Sequence, residues 1–321
     1  MTCVKCQHST VKKFGTYGKR KVQRFRCLSC RTTFSDPNSQ PQPKAPLGTM
    51  RVNMQTALRA LHCLIEGCSV RSTERLTGLH RDTILQLLVL AGQRCAQLMD
   101  EKMRGLKCKF VESDEIWSFV NKKQKRCRKE DPAEYGDAWV FVAIDADTKL
   151  VPCFTVGKRS AATTRAFVSD LSARVEGRMQ LTTDGFRFYV DAVEQSFGSE
   201  IDFAQLIKLY GDYGQHDSAG KYSPSPIMEV ISKIRQGSPD EERISTSYVE
   251  RQNLTMRMMM RRFTRLTNAF SKKRGNLQAA CALHFAYYNF CRVHKTLRVT
   301  PAMESGITNH VWSIAELLGA Q

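Results

Sequence analysis

The sequence is short of acid: its 321 residues carry 31 Asp and Glu against 49 Lys and Arg, a formal charge of +18. Such a balance disfavours strongly basic partners and attracts polyanions, nucleic acid foremost, through counterion release, a balance that ribosome-associated and membrane-surface proteins can share. Long hydrophobic runs are also missing. None approaches the ~18–20 apolar residues of a membrane-spanning helix, and the opening MTCVKCQHST lacks the charged-then-apolar order of a secretory signal. We therefore expect a cytoplasmic protein with no membrane partner. In that reducing compartment its 12 cysteines should be thiols or metal ligands, not disulfides. Internal repeats are absent too, which excludes a solenoid. What is present is ordinary globular material, 42% hydrophobic and 25% charged, in a chain long enough for one core of usual size and one or two small modules.

Four cysteines fall into two pairs, Cys3 with Cys6 and Cys27 with Cys30. Two residues between the members of a pair let both thiolates reach one tetrahedral Zn²⁺, and the intervening stretch suits a small zinc-ribbon hairpin. Residues 36–50, rich in Pro, Gln and Ser, read as a linker. Apolar residues then recur every three or four positions from Met54, with breaks at Gly67 and Gly78. This predicts three helices in the layout of a helix-turn-helix, the third offering Arg81, Thr83 and Gln86 to a DNA groove.

The period changes to alternation at residues 107–120, KCKFVESDEIWSFV, and again in WVFVAIDADTKLVPCFTVG, which predicts three antiparallel strands. A helix at 160–176, a strand at 179–184, a helix over FRFYVDAVEQSF and a strand at 204–210 follow. Three antiparallel strands and then alternating helix and strand give a mixed α/β sheet in the order of a ribonuclease-H-like core. Residues 211–243 read as a loop-rich insertion, and a long basic helix is expected after it. Trp117 and Trp139 are expected in the core.

In that layout Asp114 lies on the first strand and Asp184 ends the fourth, so neighbouring strands can bring the two carboxylates together. Facing carboxylates repel, whereas hard Mg²⁺ or Mn²⁺ ions take oxygen ligands and keep both ionised. Glu250 can add a third carboxylate from a helix. Two such ions would activate an attacking water or 3′-hydroxyl and stabilise the leaving oxygen in an in-line displacement at phosphorus. By spacing alone Glu112 and Glu115 compete with Asp114, Asp145 and Asp147 with Asp184, and Glu241 and Glu242 with Glu250.

The segments SDEIW around Asp114, TTDGFRFY around Asp184 and SYVERQNL around Glu250 resemble, in order and surroundings, the three acidic motifs of the insertion-sequence-1 family of bacterial DDE transposases. The paired cysteines and the helical region resemble that family's end-recognition part, and YYNFCRVHKTLRVTPAM its C-terminal part. The resemblance implies a catalytic Asp114, Asp184 and Glu250 holding Mg²⁺ or Mn²⁺, double-stranded DNA as substrate (element ends and target), a homo-oligomer assembled on that DNA, and a bacterial, nucleoid-associated location. In that family the recognition and catalytic regions can be encoded in overlapping frames; here they form one chain.

The expected order is a zinc ribbon at 1–35, a linker at 36–50, a helix-turn-helix domain at 51–104, a DDE catalytic domain at 105–305 with an insertion near 211–243, and a tail at 306–321. Arg251, Arg257, Arg261, Arg262, Lys272, Lys273, Arg292 and His294 are assigned to DNA contact, which for Arg and Lys means positioning a phosphate backbone without reading sequence. Two rivals are a nuclease of the same fold that does not join strands, and an inactive transposase-derived regulator that only binds DNA.

Overall fold

The computed structural model describes residues 2–17, 22–35, 46–211, 226–264 and 268–320. The chain divides into two compact units, Met1–Ala45 and Pro46–Gln321.

The first unit is a three-stranded antiparallel sheet, β1 (Val11–Tyr17), β2 (Val22–Cys27) and β3 (Thr33–Ser35). Its two Cys pairs sit on matching turns. Gln7 and Arg31, each the residue after its pair, take positive φ values of 57° and 61°. Their N–H groups donate back to the Cys3 and Cys27 carbonyls at 2.9 and 3.1 Å, while the Cys3 and Cys27 N–H groups donate to the His8 and Thr32 carbonyls at 2.9 and 3.0 Å. The four sulfurs lie within 4.8 Å of one another, with Cys3–Cys30 and Cys6–Cys27 separations of 3.6 Å. Thiolates about 2.3 Å from a tetrahedral zinc would stand about 3.8 Å apart, so the cluster fits that ion. A hydrogen bond from Thr32 draws the Cys30 thiol down to about 6, toward the thiolate that a metal requires. Among the described residues the apolar core here is Cys3, Cys27 and Phe34 with Val11, Phe25 and Cys30 against them, a core of the size that a structural metal usually supports.

The second unit is built on a six-stranded sheet of order β6-β5-β4-β7-β8-β9. Its members are β4 (Phe110–Val120), β5 (Gly136–Asp145), β6 (Phe154–Gly157), β7 (Met179–Thr183), β8 (Ile201–Tyr210) and β9 (Ile227–Gln236). β4, β5 and β6 form an antiparallel meander; β7 pairs parallel to β4, and β8 parallel to β7. Helices α4 (Ala161–Ser172) and α5 (Phe188–Phe197) make the crossovers. A meander extended by parallel strands on the side of its first member is the ribonuclease-H-like arrangement, and the fold is a mixed α/β one of that kind. The turn after β5 is closed by Asp145, which accepts from the Thr148 N–H at 3.0 Å and the Thr148 hydroxyl at 2.6 Å, a structural task for that carboxylate.

Three helices precede the sheet: α1 (Met54–Ile65), α2 (Val70–Thr77) and α3 (Arg81–Lys102). Ser69 caps α2, whose end is turned by Gly78 at φ 71°. These helices are not a separate body. α3 runs along α7 (Arg274–Phe290), and Ile65, Leu87, Leu88, Cys95, Leu277, Cys281 and Leu283 share one core with the sheet. The last turn of α3 is fastened by Arg174, which donates to the Met99 carbonyl at 3.1 Å and pairs with Asp100 at 3.0 Å and Asp170 at 2.9 Å.

Several expectations change. The residues at 46–50 belong to the second unit instead of the linker, while 36–45 lie outside the described residues. The expected insertion contributes the sixth strand, β9, which its mixed Ile, Glu, Lys and Arg sequence concealed; residues 212–225 are outside the described set. The basic helix, α6 (Ser247–Met259), stops at Met260, sooner than expected. The tail carries α9 (Ile314–Leu317) after a short α8 (Pro301–Glu304), and it buries Ile314, Leu317 and Leu318 in the common core. Among the described residues no helix is long and apolar enough to cross a membrane.

Two outcomes test this architecture. The chain should carry one zinc, released by thiol blocking and read with a colorimetric chelator; Cys27→Ser should lose it and leave residues 2–35 open to protease, and a protease-resistant metal-free ribbon would refute the reading. At the α3–α7 contact, a Cβ on Gly92 would come within 2.4 Å of the Ala279 backbone. Gly92→Ala should therefore destabilise the chain by about 1–3 kcal/mol in urea unfolding, against the small gain that Ala normally brings inside a helix.

Candidate active site

The residues of β4 alternate between two faces of the sheet, and both faces carry acid. Glu112 and Asp114 face α6; Ser113 and Glu115 face α5. Glu112 is 2% exposed, and its Oε2 accepts from the backbone N–H groups of Tyr248 and Val249 at 2.7 and 3.0 Å. These are orphan donors in the first turn of α6, so a strand carboxylate caps the helix. Burial raises the Glu112 pKa against these bonds, which lower it. One turn along, Asn253 Nδ2 donates to Asp114 Oδ2 at 2.9 Å. The helix that bears Glu250 is thus tied at two points to the strand that bears Asp114.

β7 ends at Thr183, paired with Ser113, so Asp184 emerges beside Asp114 at the C-terminal edge of the parallel strands, where open α/β sheets form their crevices. Asp184 folds its own loop: Oδ1 accepts from the Phe186 N–H at 2.9 Å. The loop is held from the next strand by Gln205, 0% exposed, whose Nε2 donates to the carbonyls of Asp184 and Phe186 at 2.8 and 3.3 Å. Arg235 of β9 in turn donates to Gln205 Oε1 at 2.8 Å.

Asp114, Glu115 and Asp184 each offer a carboxylate oxygen within 4.8 Å of the others. Sequence spacing set Glu115 as a competitor of Asp114; in the fold the two stand side by side on the same centre. Arg159, between β6 and α4, bridges the cluster, with contacts of 3.0 Å to Glu115 and 3.1 Å to Asp184, and its guanidinium lies 4.0 Å from the Phe186 ring centroid and 5.0 Å from that of Trp139. Glu250 lines the same cleft, of about 780 Å³, outside that trio. Its carboxylate is held by Lys208 of β8 and by the Thr246 hydroxyl, the latter at 2.6 Å.

Crowding acids under cover has the expected electrostatic result. Burial, with Asp184 and Glu250 nearby, pushes Asp114 up to about 6; burial and Asp184 push Glu115 up to about 8; burial also raises Asp184, against the pull of Arg159. Glu115 Oε1 and Asn253 Oδ1 are buried without a hydrogen-bond partner. An all-oxygen donor set with an orphaned carboxylate oxygen fits a hard divalent cation.

The positive residues divide. Arg159, Arg187, Lys208 and Arg257 line the cleft. Arg81, Gln86, Arg251, Arg261, Lys272, Lys273 and Arg292 are exposed and Thr83 and His294 half-buried. Arg262 differs from the rest: it donates to Ser271 Oγ at 2.8 Å and the Asn276 carbonyl at 2.9 Å, and burial lowers its pKa, so its guanidinium is engaged within the fold. His294 bonds the Thr296 hydroxyl at 2.9 Å, and burial lowers its pKa as well. Among the competing acids, Asp147 pairs with Arg243, and Glu241 and Glu242 sit in a short 3₁₀ turn. Trp117, expected in the core, is 37% exposed. Sequence reasoning missed Arg159, Gln205 and Asn253; of these only Asn253, one helical turn after Glu250, had a legible spacing.

No family model and no curated protein matches the chain. Solved structures similar to it include a piggyBac transposase synaptic complex with hairpin DNA, 11% identical over 88% of this chain and 73% of that one, at a TM-score of 0.35. A Mos1 transposase paired-end complex with the left transposon end is 15% identical over 52% of this chain and 62% of that one, and the Mos1 strand transfer complex 14% identical over 77% and 79%, both at a TM-score of 0.20. The fold assignment rests on the strand order above.

The raised carboxyl pKa values fix a sign. The folded chain keeps these protons to higher pH than the unfolded chain, so without metal its stability should fall as pH climbs from the ordinary carboxylate range near 4 toward about 8. A divalent cation competes with the same protons. Mn²⁺ should therefore raise the melting temperature more at about pH 8 than at about pH 5, and Asp184→Asn should remove the difference. An increment independent of pH would exclude a metal at this trio.

Proposed function

We propose that the chain is a divalent-metal-dependent polynucleotidyl transferase acting on DNA. More particularly, it is the transposase of a bacterial insertion sequence of the kind its three acidic motifs resemble, binding terminal inverted repeats and cutting and joining strands. The observation that carries this is the meeting of Asp114 and Asp184, seventy positions apart in sequence by the numbering itself, in one basic-walled cleft with Glu250 on its rim.

Asp114 and Asp184, with Glu115 beside them, would hold Mg²⁺ or Mn²⁺, and Glu250 supplies the third acidic position of the motif. When bound, the metal contributes Lewis-acid charge to the attacking water or 3′-hydroxyl and to the leaving oxygen. The protein's own part is placement. Asn253 fixes the rotation of Asp114, Glu112 seats α6 so that Glu250 faces the sheet, and Gln205 holds the Asp184 loop. Arg187, Lys208 and Arg257 offer cationic contacts to phosphates on either side of the reacting one, and Arg159 stands where charge builds on the phosphoryl oxygens. Arg81, Thr83 and Gln86 at the start of α3 would read a groove at the element end, and Arg251, Arg261, Lys272, Lys273, Arg292 and His294 would follow the backbone. The zinc ribbon adds a second DNA-binding module. The enzyme would work in the bacterial cytoplasm as a homo-oligomer that holds two element ends.

The test uses labelled element ends, a target plasmid and Mg²⁺. Joined product is expected, and Asp114→Asn, Asp184→Asn and Glu250→Gln should each lower cleavage by roughly a thousandfold or more while end binding persists. Asn253→Ala, which only orients a ligand, should cost about 10–100-fold. Nicks without joining would replace the transferase with a nuclease; bound, unreacted DNA from the unmutated chain would leave a regulator.

A further inference from the structure

β9 is the outer strand of the sheet, and its free edge pairs with no other strand among the described residues. Its side chains are exposed along nearly the whole length, including Val230 at 51%, Ile231 at 39% and Ile234 at 48%. A long edge strand rich in aliphatic residues is a template for pairing with another strand. Register irregularities interrupt its pairing with β8 between Leu209 and Tyr210 and between Phe203 and Ala204. Between them the ladder is regular from Glu229, opposite Leu209, to Ile234, opposite Ala204. This regular stretch, EVISKI, is its own complement.

In an antiparallel pair of two copies centred on Ile231, Ile231 faces Ile231, Glu229 faces Lys233 in both directions, Val230 faces Ser232 and Met228 faces Ile234. Acid meets base, and apolar meets apolar or hydroxyl. A slip of one or two residues either way sets Glu229 or Lys233 against an apolar side chain, which costs cross-strand stabilisation and flips or misaligns the faces. A peptide of unrelated sequence would gain the edge hydrogen bonds but not this charge match, so the strand favours a second copy of itself.

We infer that two chains associate through antiparallel β9–β9 pairing in the Ile231-centred register, joining their sheets across a two-fold axis perpendicular to them. The inference does not depend on the reaction assigned to the acidic cleft, because the residues involved lie outside it. Two copies would then present the same sheet face on the same side, with their clefts at opposite ends of the joined sheet.

The test is sedimentation velocity on the full chain without DNA, at several concentrations. A concentration-dependent dimer is expected. Glu229→Lys and Lys233→Glu should each weaken it about tenfold, since each replaces two attractive cross-strand pairs by two repulsive ones. The double change Glu229→Lys/Lys233→Glu should return to within about threefold of the unmutated chain. An equimolar mixture of the two single variants should form heterodimers, because both of their cross pairs are then opposite in charge. Circular dichroism checks that the variants, changed only at exposed positions, remain folded. A monomer at every concentration, a dimer indifferent to Glu229→Lys, or a mixture that fails to associate would each overturn the inference.

Discussion

Three carboxyl groups with oxygens within 4.8 Å of one another are the constraint around which the larger unit is arranged. Their repulsion and desolvation oppose folding, and nothing in the trio offsets that cost by itself. The surrounding elements hold them in place. The parallel pairing of β4 and β7 sets Asp114 beside Asp184, Arg159 lends a guanidinium to Glu115 and Asp184, and α6 is docked by the Glu112 cap and the Asn253 bond. Glu112 matters here because it converts the dipole and free N–H groups of a helix start into an attachment point on a strand two residues from Asp114. Loss of that seat would move the acidic helix and the acidic strand apart together.

Much of this was legible in the residue pattern because the sheet obeys local rules. Alternation over residues 107–120 and over WVFVAIDADTKLVPCFTVG, with the switch to helix–strand alternation after residue 160, predicted β4 to β8 in order, and the meander-then-parallel topology follows from that order. Paired cysteines predicted the sulfur cluster because two-residue spacing is set by the reach of two thiolates, a local matter. Strand order set Asp114 beside Asp184 and motif resemblance singled out Glu250; all three line one cleft, but the close trio is completed by Glu115 and not by Glu250.

What was hidden depends on contacts between distant segments. β9 carries charged and aliphatic residues in a mixture that matches no one-sided strand, because both its faces are exposed. The tail at 306–321 offers no period long enough to predict an element, yet its Ile314, Leu317 and Leu318 join the core around α1, α3 and α7. Arg262 resembles any other basic residue of its run until Ser271 and Asn276 claim its guanidinium. Arg159 and Gln205 have no distinctive neighbours in sequence; their roles come only from the loops that the sheet delivers to them. Glu115 was indistinguishable from a competitor of Asp114 because adjacent residues on a strand point to opposite faces, and only the end of β7 beside them lets both reach one centre.

The 22-residue helix α3 begins at exposed Arg81 and ends clasped by Arg174, a span of about 33 Å at 1.5 Å per residue. With Gly92 pressed against Ala279 it has no hinge along the way. Its exposed first turn is therefore held by the same core that carries the sheet, so neither can shift against the other without breaking that packing.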